Sequence, residues 1–342
     1  MRTAFSPHHV ERNPKTELSG GQLVTPFESP RRAELIKAAI ETARLGPVLK
    51  AQAFDLEPVL RVHDAGFVAF LETVWQRWQA AGMAGEAIPT VFPARRMQAR
   101  PVRNIEGQLG YYAMAVETAI DAGTYPAALG AKDAALTAAQ WIALGDRCSF
   151  ALCRPPGHHA AFDLYGGYCF LNNAAIAAQH LLDHGASRIA VLDVDFHHGN
   201  GTQDIFYRRD DVLFLSLHGD PQDAFPHFSG FADETGEGKG LGFTANYPLP
   251  PGTGWERWAE ALEHALARVV HYAPDVLVVS LGVDTFERDP ISFFRLRHPD
   301  FRRLGGRLGE LGTPTLYVME GGYAIDDIGQ NVVAVLAGHL DR

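Results

Sequence analysis

Five short apolar runs constrain the fold of this chain more than any other feature. Apolar residues occupy successive positions of each run, which predicts strands buried on both faces, as in a parallel sheet. Glycine-rich or histidine-rich turns follow these runs, and segments typical of helices lie between them. The pattern predicts an α/β fold, a single open parallel β-sheet flanked by helices. The runs span residues 148–153, 188–195, 211–217, 275–281 and 315–319.

Predicted helices account for much of the remaining chain. Asn172 and Gly185 are typical caps for one of them. The segment 86–107 contains three prolines and four arginines without clean periodicity, which predicts a long functional or interfacial loop. No repeat or linker divides the chain, so we expect one domain over residues 1–342 with this loop inserted. Helices are predicted at 31–45, 63–82, 106–123, 134–145, 172–185, 255–270 and 328–340.

Charge and cysteine content exclude several classes of protein. The chain has 30 Lys and Arg against 40 Asp and Glu, a net charge of −10, which disfavours nucleic acid and favours cationic partners. Its three cysteines are odd in number and lie in or beside apolar runs, which predicts reduced thiols and a cytoplasmic protein. No segment reaches the roughly eighteen apolar residues that a membrane span needs, and no signal peptide is recognisable.

Polar side chains follow four of the apolar runs. His158 and His159 come after the first run, and Asp284 and Tyr323 come after the last two. The second run ends in the sequence DVDFHH, residues 193–198. Ligands of such sheets bind beyond the carboxyl ends of the strands, so we expect an active site at this edge.

The spacing of Asp193, Asp195 and His197 predicts a metal site. Alternate residues of a strand face the same side, and Asp284 would supply a further ligand from the neighbouring run. Two carboxylates and an imidazole suit Zn²⁺ or Fe²⁺, and three protein ligands leave a position open for water, as in catalytic sites. A single such aspartate is more often a helix cap, and a histidine pair is more often part of a solvated turn. Four strand ends that converge favour the metal site.

Competing motifs are weak. The sequence GLGFTA at 240–245 fits the dinucleotide-binding pattern loosely, but neither a strand nor a helix is predicted beside it. No G-x-S-x-G motif marks a serine hydrolase.

The chain resembles the zinc-dependent histone deacetylase superfamily in six motifs, which occur in the order typical of that family: RPPGHH (154–159), GYCFLNNAA (167–175), DVDFHHGNGTQDIF (193–206), SLHGD (216–220), SLGVDTF (280–286) and EGGY (320–323). Within it the chain is most similar to bacterial acetylpolyamine amidohydrolases, and the EGGY sequence is typical of the class II-like branch. Four segments show this similarity: NPKTELSGG (13–21), VHDAGFVAFLETVW (62–75), NIEGQLGYY (104–112) and DTFERDPISFF (284–294).

The resemblance implies a role for each matching residue. It makes Asp195, His197 and Asp284 the zinc ligands, and it reassigns Asp193 to a structural K⁺ site with Ser216 and Leu217. A second monovalent site would use carbonyls near Phe206, Arg209, Val212 and Phe243. The resemblance also implies a catalytic set: His159 as general base and then acid, His158 as electrostatic support, Tyr323 as donor to the oxyanion, and Asn200 behind His159. Many class I deacetylases have an aspartate at the Asn200 position, so a neutral Asn predicts a less basic His159.

The expected reaction is the release of acetate from a small cationic acetylated amine. Tyr168 and Phe225 match the family's tunnel walls, and Glu17, Glu106 and Glu117 are candidates for binding ammonium groups. Glu106 and Glu117 could equally be ordinary helix residues. The 86–107 loop resembles an insertion that pairs subunits as homodimers, with Phe92 and Met97 exposed at the interface.

Two alternatives stay open. One is a class II-like protein lysine deacetylase, and the other is a binding module that has lost its activity. The second predicts the loss of a zinc ligand or of the tyrosine, and all of these residues are present.

Overall fold

A computed structural model describes residues 1–342, in ten strands and ten α-helices. The strands are β1 (Arg2–Phe5), β2 (Glu17–Ser19), β3 (Gln22–Val24), β4 (Val48–Lys50), β5 (Cys148–Leu152), β6 (Ile189–Asp193), β7 (Val212–Gly219), β8 (Thr244–Leu249), β9 (Val276–Leu281) and β10 (Thr315–Met319). The helices are α1 (Pro30–Ala43), α2 (Glu57–Leu60), α3 (Ala65–Ala80), α4 (Ile105–Tyr112), α5 (Thr124–Ala143), α6 (Asn173–Asp183), α7 (Asn200–Phe206), α8 (Trp255–Tyr272), α9 (His298–Glu310) and α10 (Ile328–Leu340).

Eight of the strands form one parallel sheet in the order β4-β1-β5-β10-β9-β6-β7-β8, which confirms the predicted fold class. The five predicted runs form β5, β6, β7, β9 and β10, and every residue of these five strands is buried. Helices cover both faces, as successive apolar positions require. Helices α1, α8, α9 and α10 pack on one face, and α5 and α6 pack on the other. The short β2–β3 hairpin stands apart from the sheet.

The sheet also contains strands that the sequence did not predict. Strand β8 begins at Thr244, inside the 240–245 segment, and continues beyond it, so the expectation that no strand flanks this segment was wrong. Pro248 lies in β8, and a proline argues against a strand in the sequence. The strand tolerates this proline because it is at the edge of the sheet. Strand β4 forms the opposite edge and has only three residues.

The helix predicted over 106–123 was wrong in its second half. Helix α4 ends at Tyr112, and Ala113 is extended and bridges to Tyr165. The chain then runs beside residues 167–168, where the backbone N–H of Tyr168 donates to the Thr118 hydroxyl. Tertiary contacts therefore override the local helical pattern. Helix α9, with three glycines, was not predicted at all.

Four adjacent central strands position the residues singled out by the sequence. The carboxyl ends of β5, β10, β9 and β6 lie side by side and lead to His158, Tyr323, Asp284 and Asp195 respectively. None of the helices has the length together with the apolar composition of a membrane-spanning segment.

Candidate active site

Asp195, His197 and Asp284 form a buried cluster beyond β6 and β9. Their ligand atoms lie within 4.8 Å of one another. His197 Nδ1 is 3.3 Å from Asp195 Oδ1 and 3.1 Å from Asp284 Oδ2. The three predicted metal ligands are therefore brought together.

Turn geometry, and not strand alternation, brings these ligands together. Strand β6 ends at Asp193, so the expected extended ladder through His197 was wrong. Beyond the strand, the backbone N–H of His197 donates to Asp195 Oδ1, and that of Asp195 donates to Asp193 Oδ1. Each carboxylate thus caps the backbone two residues on, as in an Asx turn. Asp193 points away from the cluster to His158, 2.9 Å from its Nδ1.

Two glycines leave room for the carboxylates. A Cβ at Gly282 would lie 2.1 Å from Asp195 Oδ2, and one at Gly321 would lie 2.5 Å from Oδ2 of both Asp195 and Asp284. Glycine is therefore required at both positions. The Gly321 N–H also donates to Asp195 Oδ2 at 2.7 Å.

The cluster fits a divalent metal ion. Burial and the neighbouring Asp195 raise the pKa of Asp284 to about 8, since two buried carboxylates repel each other without a cation between them. A metal ion would remove that repulsion. Two carboxylates and a histidine are donors suited to zinc or ferrous iron.

The tandem histidines have different surroundings. His159 lines the active-site cavity, and its Nδ1 lies 2.7 Å from Asn200 Oδ1, which can only accept. Nδ1 of His159 therefore has the hydrogen, and Nε2 keeps a lone pair. Burial lowers the pKa of His159 well below its usual value, and positive charge on His158 and His197 lowers it further. For His158, the Asp193 and Asp195 carboxylates outweigh burial and raise the pKa to about 10.

Tyr323 lines the same cavity, and its hydroxyl has no hydrogen-bond partner within the protein. Its N–H donates to Asp289, and the Arg32 guanidinium lies over its ring at 4.8 Å.

Arg32 also donates to the carbonyls of Gly322 and Glu320, each at 2.6 Å. The Glu320 carboxylate in turn accepts the N–H groups of Gly157 and His158. Sequence reasoning missed Arg32 and Glu320, whose partners lie far along the chain.

A buried charge cluster supports this arrangement. Glu28 accepts hydrogen bonds from Arg12, Arg32 and Arg154, and all four side chains are at most 2% exposed. Burial alone would raise the pKa of Glu28, but the three guanidiniums lower it to about 2.

We expect Glu28→Gln to destabilise the protein strongly, because three buried guanidiniums would lose their counter-charge. The free energy of unfolding should fall by about 3–5 kcal/mol, measured by urea denaturation at pH 7. The folded pKa is depressed, so the contribution is complete above pH 4.5 and is lost as the pH falls through about 2. Glu41→Gln, which removes an exposed pair with Lys37, is the matched control and should leave stability unchanged. Equal stability of the two variants would contradict the proposed importance of the cluster.

The cavity above the cluster has a volume of about 440 Å³. Tyr168 and Phe225 lie on its walls, and Phe225 packs edge-on against His159 at 5.1 Å. Tyr168 has a φ of +67°, a left-handed conformation that is strained for tyrosine. Bonds to Thr118 and Glu17 hold it there. Phe196, Ile291 and Phe293 also line the cavity.

The structure separates the three predicted glutamates. Glu17 and Glu117 line the cavity, but Glu106 does not. Glu106 is exposed in the first turn of α4, where its N–H donates to the Asn104 cap. Glu106 therefore has the position of an ordinary first-turn helix residue.

The predicted monovalent-cation residues lie in two groups. Asp193 pairs with Ser216 across β6 and β7, and Leu217 follows in β7. In the second group, the Phe206 carbonyl accepts from the Arg209 N–H, and the Phe243 carbonyl accepts from the Phe214 N–H. Val212 begins β7 beside this group.

The histone deacetylase domain, together with relatives that are acetylpolyamine amidohydrolases, indicates a hydrolase that acts on amides. The chain belongs to the histone deacetylase family: the model of the histone deacetylase domain matches residues 26–339. This family implies a metal cofactor.

Relatives match over nearly the whole chain. It is 58% identical to the acetylpolyamine amidohydrolase of Mycoplana ramosa, over 99% of each chain. It is 52% identical to acetylpolyamine amidohydrolase 1 of Pseudomonas aeruginosa, again over 99% of each. A crystal structure of the acetylpolyamine aminohydrolase from Burkholderia pseudomallei superposes with a TM-score of 0.95 at 40% identity, covering 99% of this chain and 98% of that one.

Proposed function

We propose that the protein is a metal-dependent amidohydrolase that deacetylates acetylated polyamines such as N-acetylputrescine and N-acetylcadaverine. The observation that supports this most is the shared cavity. It joins His159, His197 and Tyr323 to aromatic walls and to the carboxylates of Glu17 and Glu117. The names of the relatives point to the same substrate class.

Asp195, His197 and Asp284 would hold the metal, zinc in our proposal and ferrous iron as the alternative. When bound, such an ion polarises the amide carbonyl and lowers the pKa of water. The remaining steps depend on the protein's own side chains.

His159 is the general base in this proposal. Its Nε2 has the free lone pair, and its lowered pKa keeps the ring neutral at pH 7, so it can accept the proton of the attacking water. The same nitrogen then delivers a proton to the departing amine. Asn200 holds the ring in this tautomer without adding charge.

His158 and Tyr323 stabilise developing negative charge. His158 retains its proton through Asp193, and its ring lies 4.0 Å from that of His159. Tyr323 has a free hydroxyl in the cavity, which can donate to the oxyanion of the tetrahedral intermediate.

The walls and mouth suit an acetylated polyamine. Tyr168 and Phe225 would flank its aliphatic chain, and the carboxylates that line the cavity would attract its ammonium groups. An acetyllysine peptide has the same acetylated chain end but no free ammonium group beside it. Discrimination between the two substrates therefore depends on these carboxylates.

The test is kcat/KM for N-acetylputrescine and N-acetylcadaverine beside an acetyllysine peptide, on one zinc-reconstituted preparation. We expect the small amines to be preferred at least about tenfold, since one charge-assisted hydrogen bond contributes about 1.5–3 kcal/mol. Preference for the peptide would instead make the protein a class II-like lysine deacetylase.

We also propose a homodimer that pairs through the 86–107 loop. Met97 and Val91 are 65% and 54% exposed in this loop, and a partner subunit would cover these apolar side chains. Phe92, expected to be exposed, is instead half-buried against the core. Small-angle scattering should give twice the 37.4 kDa chain mass, and a monomer would contradict the proposal.

Two smaller proposals concern K⁺ and the cell compartment. K⁺ beside Asp193 and Ser216 would compensate a carboxylate that is fully buried, so Tm should be higher in K⁺ than in Li⁺.

Three buried cysteines without disulfides are consistent with the reducing cytoplasm, which cell fractionation would test.

A further inference from the structure

The carboxylates around the cavity differ in how many of their oxygen atoms are free. Glu17 is 4% exposed and accepts the Tyr168 hydroxyl and the Phe27 N–H, one on each oxygen. Glu117 accepts the Gly167 N–H and the Thr118 hydroxyl on a single oxygen. The hydrogen bonds of Glu17 hold the wall tyrosine, so this carboxylate is already committed within the protein.

Asp223 also lines the cavity, and its carboxylate has no hydrogen-bond partner and no ion pair. It is exposed, in the long connection between β7 and β8 that also contains Phe225. The turn at Asp220 positions the backbone of Asp223, whose N–H donates to the Asp220 carbonyl at 2.8 Å, and leaves the side chain without a partner. Both oxygens of Asp223 are therefore available to a ligand.

His227 lines the cavity four residues further along the chain. Its Nδ1 lies 3.1 Å from the Pro221 carbonyl, a contact that requires hydrogen on Nδ1. The other ring nitrogen, Nε2, has no hydrogen-bond partner within the protein and can accept from a ligand. No lysine or arginine lines the cavity to compete for these groups.

We propose that Asp223, assisted by His227, is a specificity-determining site for a second, internal ammonium group of the substrate. This rests on the proposed function and specifies its substrate class: acetylated polyamines with a secondary ammonium, beyond the monocationic acetyldiamines. A secondary ammonium has two N–H donors, and a free carboxylate and a free imidazole nitrogen are two acceptors. The carboxylate adds the charge complement.

The test compares KM for N-acetylspermidine, N-acetylputrescine and the uncharged N-butylacetamide in wild type and Asp223→Asn. The variant should raise KM for N-acetylspermidine about fivefold relative to N-butylacetamide, with the change in KM and not in kcat. The effect should weaken in high salt, because an exposed charge pair is screened. His227→Asn, which suits the φ of +66° at this position, should show the same selectivity with a smaller effect.

Asp233→Asn is the matched control, since Asp233 is an exposed aspartate of the same connection that does not line the cavity. Equal KM changes for all three substrates, or the same selectivity in Asp233→Asn, would overturn the inference while leaving polyamine deacetylation intact. If wild type cleaves an acetyllysine peptide but none of the acetylpolyamines, the proposed function fails and the inference fails with it.

Discussion

Asp284→Ala is expected to abolish both metal binding and turnover. The side chain is fully buried, and its Oδ2 lies 3.1 Å from His197 Nδ1, so alanine would leave only two of the three clustered ligands. A metal ion contributes several kcal/mol to such hydrolyses, which corresponds to a loss of kcat of at least about a thousandfold. Elemental analysis and kcat on one preparation would measure both effects.

Chelation separates loss of metal from loss of fold. In wild type, removing the metal would leave Asp195 and Asp284 buried against each other, so the Tm should fall on adding chelator. In Asp284→Ala, the repelling pair is absent and the Tm should no longer respond to chelator. Asp233→Ala serves as the control, because Asp233 is exposed and is distant in sequence from the three clustered ligands. This variant should bind metal normally. Stoichiometric metal in Asp284→Ala would remove Asp284 from the ligand set.

Tyr323→Phe is expected to lower kcat by about a hundredfold to a thousandfold, as loss of one oxyanion donor does in comparable sites. The ring packs under Arg32 and is 7% exposed, so phenylalanine should keep the packing and remove only the hydroxyl. Metal content and KM should change little, because Tyr323 is not a ligand of the cluster.

The control for this variant is Tyr111→Phe, which removes a half-buried hydroxyl outside the cavity and should have normal kcat. Near-normal turnover of Tyr323→Phe would exclude the phenol from the mechanism. A drop in kcat accompanied by loss of metal would show a structural role instead.

The central sheet and the base of the site could be predicted because one physical rule underlies both. Strands buried on both faces must be apolar at successive positions, so β5, β6, β7, β9 and β10 are recognisable in the sequence. Polar residues directly after them must then meet at one edge, as His159, Asp195 and Tyr323 do. The family resemblance added individual roles and the reassignment of Asp193.

Other features depend on contacts between distant segments and have no local signal. Helix α9 contains Gly305, which disfavours a helix by itself. A Cβ there would lie 1.9 Å from the Val335 carbonyl, so close packing on α10 selects the glycine. The pairing of Arg32 with Gly322 likewise spans 290 positions. Nothing in the sequence distinguishes Asp223 from other loop aspartates. Its position at the cavity is known only from the structure.

The position of β10 has a consequence for how the protein is synthesised. This strand is formed by residues 315–319, yet it lies in the middle of the sheet, between β5 and β9. Until the ribosome releases this segment, β5 and β9 each have an unpaired edge, and unpaired edges are templates for aggregation. A nascent chain that stalled before residue 315 would also lack Tyr323. The last step in folding of the catalytic centre therefore waits for residues 315–323, and the risk of aggregation is greatest while this gap in the sheet is open.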